Sequence, residues 1–343
     1  MLNNTQPNST FIKYIEVLFF LSVILYFGKT LFIPLFFGLL IAVVMYPICK
    51  WLEMRGWNKS IAIAICLLIV TILFAILSGI LVWQLKVFSK DAPAIFYRLE
   101  AAIQKIQTWA IENVGIKIDI QKDFGEKFTG VIGGIVKSTV QTTANTLFIL
   151  FLIPVYTTLF MYHRKVFVQY LKLITPAKYQ YELNTILQKT INTYFNYIKG
   201  MILVYPIVGI LNSIGLLALG VNNAILFGML CAIMTIIPYI GIFVSALLPI
   251  SVVWLETGNI WYPLGVIAVF SFVQYLEANV IFPRVVGTQL NVSTLAMLVA
   301  VIAGGIIWGV AGMVLFIPFV AILKIISDHI EEWKPMNLLL NRN

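Results

Sequence analysis

Ile236-Ile237-Pro238-Tyr239-Ile240-Gly241 interrupts an apolar run that begins near residue 224, and the next run closes with Gln274-Tyr275-Leu276-Glu277-Ala278-Asn279-Val280-Ile281-Phe282-Pro283-Arg284. A proline removes a backbone donor and clashes with the preceding turn, so Pro238 with Gly241 is expected to open the backbone inside an otherwise membrane-buried helix. In hydrocarbon, the freed backbone groups have to be satisfied by protein or by a water-lined cavity. A broken helix beside an ionisable side chain is therefore the strongest pointer in this sequence to a solute pathway.

The surrounding composition sets the medium. Of 343 residues, 61% are hydrophobic and 11% charged, against about 25% charged in a soluble domain. The chain reads as an all-α, polytopic helical membrane protein. Its formal net charge of +9 comes from basic residues in short loops between apolar runs. That is the pattern that orients membrane helices, and no coherent basic face points to nucleic acid. Cys49, Cys66 and Cys231 are widely spaced in or beside apolar runs, and His163 and His329 are isolated. Neither set has the spacing of a metal or redox site. No Gly-rich phosphate loop, Walker lysine or Ser/His/Asp trio is present, so an enzyme, a cofactor and a bound metal are all unexpected.

Spans of about 20 apolar residues fall near 12–28, 31–49, 61–85, 143–162, 200–220 and 260–282. With two further uncharged blocks, these make about eight membrane segments, the first of them a retained helix and not a cleaved signal. Five regions are expected: N-terminal transmembrane helices at 1–85, an external amphipathic helical insert at 86–142, a fourth span with a cytoplasmic interfacial helix at 143–199, a core transport region with broken helices at 200–325, and a cytoplasmic tail at 326–343. Lys50, Arg55 and Lys59 in one loop, and Arg164, Lys165, Lys172, Lys178, Lys189 and Lys199 in another, place both loops and the N-terminus inside. The turn at Gly28-Lys29-Thr30 is then outside, and Lys324, Lys334 and Arg342 keep the C-terminus inside. The insert carries eight basic and six acidic residues. Its apolar positions Ile95, Leu99, Ile106 and Trp109 give a helical face that needs a partner, such as a neighbouring subunit.

Residues 224–254 and 293–323 carry no charge. Either block as one helix would be about 46 Å long, well beyond a hydrocarbon core of about 30 Å. For the first block a re-entrant hairpin is favoured over a tilted span, and the same two alternatives stand open for the second. Folding back at Pro238 to Gly241, with two roughly equal arms, puts Glu256 outside and Arg284 inside, as the distribution of positive charge prefers. The second block is interrupted at Gly304-Gly305, Gly309, Gly312 and Pro318, and Ile317-Pro318-Phe319 faintly echoes Ile237-Pro238-Tyr239. Paired interruptions are what a repeat-built transporter would show.

Glu277 is the acidic residue that lies well inside an apolar run, where a charged carboxylate costs about 2.5–3.5 kcal/mol at mid-bilayer on insertion scales. Gln274 and Arg284 would share its face on an unbroken helix, but Pro283 is expected to end the helix at Phe282 and carry Arg284 out of it. Two readings stand side by side: a proton- or cation-binding carboxylate, or a structural role as an ion pair or a snorkelling anchor. Asn279 and Asn212 add polar groups that could ligate a solute or bond between helices. Tyr239 beside the break is a candidate lining residue.

From Tyr197-Ile198-Lys199-Gly200 onward, the order Ile237-Pro238-Tyr239-Ile240-Gly241, Glu277 with Pro283 and Gly287, Gly304-Gly305, Trp308-Gly309, Gly312-Met313 and Pro318 resembles the autoinducer-2 exporter (AI-2E) family of bacterial permeases. The resemblance implies a multi-pass secondary transporter of the bacterial inner membrane. It implies a homo-oligomer, a pentamer among the candidate assemblies, whose partners are the lipid bilayer and a small-molecule or ion substrate. Members are linked to export of autoinducer-2 and to sodium(lithium)/proton antiport; a non-transporting membrane scaffold is the third possibility. On this basis Pro238, Tyr239, Gly241, Gln274, Glu277, Asn279, Pro283 and Arg284 are expected to line the pathway, with Asn212, Gly309, Gly312 and Pro318 as secondary candidates. Ile242 and Ser293 stand where the family pattern commonly has proline.

Overall fold

The computed structural model describes residues 8–76, 149–237, 240–287 and 290–341, with isolated positions 79, 80, 83, 104 and 112. Almost all of the insert expected at 86–142, together with Pro238 and Tyr239, lies outside the described residues. The elements in chain order are α1 (Asn8–Phe27), α2 (Lys29–Met54), α3 (Lys59–Ile76), α4 (Ile149–Tyr162), α5 (Arg164–Ile174), α6 (Gln180–Ala218), α7 (Ala224–Met234), α8 (Ile240–Thr257), α9 (Trp261–Leu276), α10 (Phe282–Val285), α11 (Thr294–Trp308), α12 (Val310–His329) and α13 (Asn337–Leu340). The all-α expectation is met. Among the described residues, five stretches are long and apolar enough to cross a membrane: Lys29–Met54, Lys59–Ile76, Ala177–Ala218, Trp261–Val285 and Val310–His329. Two compact units divide the chain, one taking Met1–Ile63, Ile149–Phe195 and Leu290–Asn343 and the other Ala64–Phe148 and Asn196–Gln289.

Within the first unit, α11 and α12 form a tight helical hairpin about Gly309, whose φ of +62° suits glycine. The arms meet backbone to backbone. A Cβ on Gly304 would stand 2.6 Å from the carbonyl carbon of Gly312, and one on Gly312 would stand 2.6 Å from that of Gly304. Small residues allow this approach, and in lipid close packing of this kind replaces the missing hydrophobic drive between helices. The Trp308 ring packs on Phe316 of α12 and Phe36 of α2, with centroids 5.6 and 5.7 Å away, while its Nε1 donates to the Leu25 carbonyl at 2.8 Å. On α4, Thr157 is fully buried and its hydroxyl lies 3.3 Å from the Gly38 carbonyl of α2.

The structure corrects several expectations. Gly28 does not make an external turn. Its amide still donates to Ile24 and its carbonyl accepts from Phe32, so α1 and α2 form a bent helical ladder, because one linking residue is too short for a reversal. The interfacial stretch and the fifth span are a single 39-residue helix, α6, about 58 Å long. Lys324 lies on α12, ahead of the tail expected at 326–343. It is 3% exposed and pairs with Asp328 one turn on. Beyond α12 the chain is tied down: the amide of Ser293 donates to Leu340, Ser327 and Asn337 exchange hydrogen bonds, and Glu332 accepts from Tyr179 and Lys178.

In the second unit, α7 and α8 fold back on each other. Ala224, Leu226 and Phe227 near the start of α7 share a core with Val252 and Val253 near the end of α8, and Asn222 donates to the Glu256 carboxylate at 3.1 Å across the base. At the tip, a Cβ on Gly241 would collide with the Met234 carbonyl. The fold-back expected at Pro238 to Gly241 is therefore present, but its arms are 11 and 18 residues instead of roughly equal. Proline disfavours helical geometry at the residue before it, and the turn extends back through Thr235–Ile237 to end α7 early. Against this hairpin, α6 and α9 run antiparallel: Gly200 faces Val286, Gly215 faces Val269 and Gly265 faces Leu219.

The backbone contact in the α11–α12 hairpin gives a direct stability test. Gly304→Leu should lower the apparent Tm in detergent, costing about 1–3 kcal/mol or more by overpacking. Gly305→Ala, whose new methyl meets the end of the flexible Met313 side chain, should cost less than about 1 kcal/mol.

Candidate transport site

Val273, Glu277 and Ile281 stand four residues apart on one face of the α9 segment. Val273 and Ile281 pack with Val204 and Val208 of α6. Glu277 therefore points into the α6–α9 contact and is 7% exposed. The antiparallel register sets it level with Val208, between Tyr205 and Asn212. Tyr205 of α6 and Cys231 of α7 lie within electrostatic reach of its carboxylate.

Directly after α9 the helix widens into a π turn at Glu277–Ile281, closed by the Phe282 amide donating to the Glu277 carbonyl. Pro283 explains the widening, since it has no amide to give and its ring would crowd the carbonyl one turn back. A π turn absorbs that conflict, and such turns recur at functional sites. The expected end of the helix at Phe282 is thus corrected. Phe282 keeps helical dihedrals and the helix continues as α10.

Continuation does not bring Arg284 to Glu277. The extra residue in the turn rotates the next helical segment, leaving Pro283 and Arg284 exposed, and among the described residues no cation pairs with Glu277. The ion-pair reading loses its geometric basis. Asn279 is exposed and donates to the Tyr275 carbonyl of its own helix at 2.9 Å.

Three buried side-chain oxygens in this unit have no hydrogen-bond partner among the described residues: Oε2 of Glu277, Oε1 of Gln274 and Oδ1 of Asn212. Asn212 is 1% exposed and its amide nitrogen lies 3.5 Å from the Cys231 sulfur. Cys231 also meets the hydroxyls of Thr235 and the buried Ser245. Close approach of α6 and α7 makes this possible, because a Cβ on Gly228 would stand 2.5 Å from the Ser213 amide nitrogen. The outcome is a polar interior drawn from four helices, rich in acceptors that lack donors. Such groups are costly when buried unless something completes them.

Of the residues expected from the sequence, Glu277 and Asn212 share this interior, Gln274 is half-buried three residues before Glu277 on α9 with its Oε1 unpartnered, and Gly241 makes the hairpin tip tight. Gly309, Gly312 and Pro318 belong to the first unit, where Gly309 turns the chain, Gly312 permits close packing and the Pro318 carbonyl accepts from the buried Tyr194 hydroxyl. Cys231, Ser245 and Tyr205 escaped the sequence reading, because single polar residues in apolar runs look like packing. Among the described residues no group of three His, Cys, Asp or Glu is placed to hold a metal.

A helical membrane protein with interrupted helices and an unpartnered buried carboxylate fits a transporter. Similarity to known proteins agrees with this. The profile described as "AI-2E family transporter" matches residues 15–332, and the chain belongs to that family. It is 24% identical to "Putative transport protein YrrI" of Bacillus subtilis, over 88% of this chain and 87% of the relative. It is 26% identical to "Putative transport protein MT0215" of Mycobacterium tuberculosis, over 85% and 81%, and 23% identical to "AI-2 transport protein TqsA" of Escherichia coli, over 92% and 90%.

Because its carboxylate is buried without a partner, Glu277 should be held at a cost to stability. Glu277→Gln is expected to fold and to be as stable as the wild type or more so in detergent, by up to about 1–3 kcal/mol, read as an equal or higher Tm. A marked loss of stability would identify Glu277 as a structural anchor instead.

Proposed function

We propose that this chain is a secondary transporter of the bacterial inner membrane that exports a small polar solute, such as autoinducer-2, driven by an ion gradient. The buried Glu277, unpartnered on a π turn beside Gln274 and Asn212, carries this reading. A carboxylate in that setting exchanges a proton or a cation as the solute arrives and leaves. The α7–α8 hairpin acts as a re-entrant element whose tip at Gly241 borders the path. The relative named for autoinducer-2 transport supports this solute class.

Sodium(lithium)/proton antiport is the second reading. It is favoured by one observation, that all three orphaned groups are oxygens, the ligand type that hard monovalent and divalent cations take. A basic end of the first unit, with Lys50, Arg55, Lys59, Arg164, Lys165 and Lys172, faces the cytoplasm in either case, together with the C-terminus. The chain works as a homo-oligomer.

Proteoliposomes loaded with a panel of polar solutes, with imposed proton or sodium gradients, decide between these readings. Export predicts gradient-driven solute efflux that falls at least tenfold in Glu277→Gln. Antiport predicts that sodium or lithium dissipates a pH gradient with no solute present, again lost in Glu277→Gln. Wild-type inactivity in both assays would leave a membrane scaffold.

A further inference from the structure

α5 is the least membrane-like and most amphipathic of the long elements. Its 11 residues, Arg-Lys-Val-Phe-Val-Gln-Tyr-Leu-Lys-Leu-Ile, include no buried side chain, and at about 16 Å it is too short to span a bilayer. Helical geometry sorts them onto three faces. Arg164, Val168 and Leu171 are partly covered and turn toward the protein. Lys165, Gln169 and Lys172 form an exposed polar edge. Val166, Phe167, Tyr170, Leu173 and Ile174 form an exposed apolar arc, and Leu173, the most open of them, is 78% accessible.

The orientation of this helix is fixed where it leaves α4. Arg164 forms an ion pair with Glu53 at the end of α2, lies 3.8 Å from the Cys49 sulfur, and sits over the Tyr46 ring at 5.3 Å. Lys59 at the start of α3 donates to the Tyr162 carbonyl and lies over the Tyr162 ring. Thr175 is extended and Pro176 follows, so the helix stops sharply at its other end. Trp51 and Trp57 at the same end of the unit are half exposed, as aromatic side chains are at a membrane–water boundary.

We propose that α5 is an in-plane anchor whose apolar arc inserts among the acyl chains of an anionic leaflet, while Lys165 and Lys172 bind acidic phospholipid headgroups. Charge complementarity selects this occupant. The helix carries three cations and no acidic residue, and Lys50, Arg55 and Lys59 stand on neighbouring segments of the same unit. Basic residues at the rim of an exposed apolar face are the pattern of helices that lie in the interface. Arg164 is a positioning residue in this arrangement: through Glu53 and Cys49 it sets which side of α5 faces the lipid.

Spin labels on the full-length protein in nanodiscs test the proposal. The three native cysteines are buried, so Leu173→Cys, Tyr170→Cys and Gln169→Cys can be labelled selectively. In phosphatidylglycerol discs, labels at 170 and 173 should favour oxygen over a water-soluble nickel relaxant, and the label at 169 should show the reverse. Replacing phosphatidylglycerol by phosphatidylcholine, or combining Lys165→Gln with Lys172→Gln, should weaken the lipid contact of 173 by about thirtyfold, from about 1 kcal/mol for each of the two lysines near an anionic surface. Glu53→Gln and Arg164→Ala should each lower the contrast between 169 and 173, and Arg164→Lys should keep less than half of it. Nickel access at 170 and 173 equal to that at 169 would overturn the proposal. So would labels at 170 and 173 shielded from both relaxants with dipolar broadening, which would mean that a second copy of the chain covers this face.

Discussion

Backbone hydrogen bonding in an apolar medium is the constraint on which this structure depends. Where water is absent, each interruption of a helix frees donors and acceptors that the protein itself has to satisfy. The chain nevertheless interrupts its apolar helices at Thr235–Ile237, at Glu277–Ile281 and at Gly309. Each break is resolved by a different local device. The first is a turn whose arms close so tightly that Gly241 has no room for a side chain. The second is a π turn that absorbs Pro283 without ending the helix. The third is a single glycine with positive φ, backed by the backbone contact between Gly304 and Gly312. In all three the polypeptide gives up regularity over a few residues and recovers it through packing.

The π turn links this constraint to chemistry. Had Pro283 simply ended the helix, Glu277 would sit near a frayed terminus, able to reach solvent. Had the helix continued without widening, Arg284 would lie close to the face of Glu277 and could neutralise it. The widened turn avoids both, keeping the carboxylate against α6 and sending the guanidinium outward. Asn212 and Gln274 then stand near an acid with no cation, and the unmet hydrogen-bonding capacity of the three oxygens gives a polar ligand something to complete.

Much of the fold was legible because its signals are local or compositional. An uncharged run longer than a bilayer announced the first hairpin, with Pro238 and Gly241 marking its tip, while the second run left span and hairpin open. Glu277 stood out since an acid in an apolar run is rare. What the sequence hid depends on contacts between distant segments or on one-residue geometry. The bend at Gly28 looks like a turn until its hydrogen bonds are traced. Lys324 counts in the sequence only as a charge that orients the C-terminus, until it is seen buried on α12 and paired with Asp328. Arg284 has the spacing of a partner, and one extra residue per turn removes it. Cys231 and Ser245 join the polar interior through helix contacts that no periodicity announces.

The unequal arms of the α7–α8 hairpin bear on how the protein is made. With 11 residues, α7 cannot cross a membrane alone, and its short apolar length gives an insertion machinery little to hold. Stable residence waits for α8, whose far end returns to the level of Asn222 and seals the base through Glu256. The burial of α7 thus depends on its pairing with α8 through their shared core.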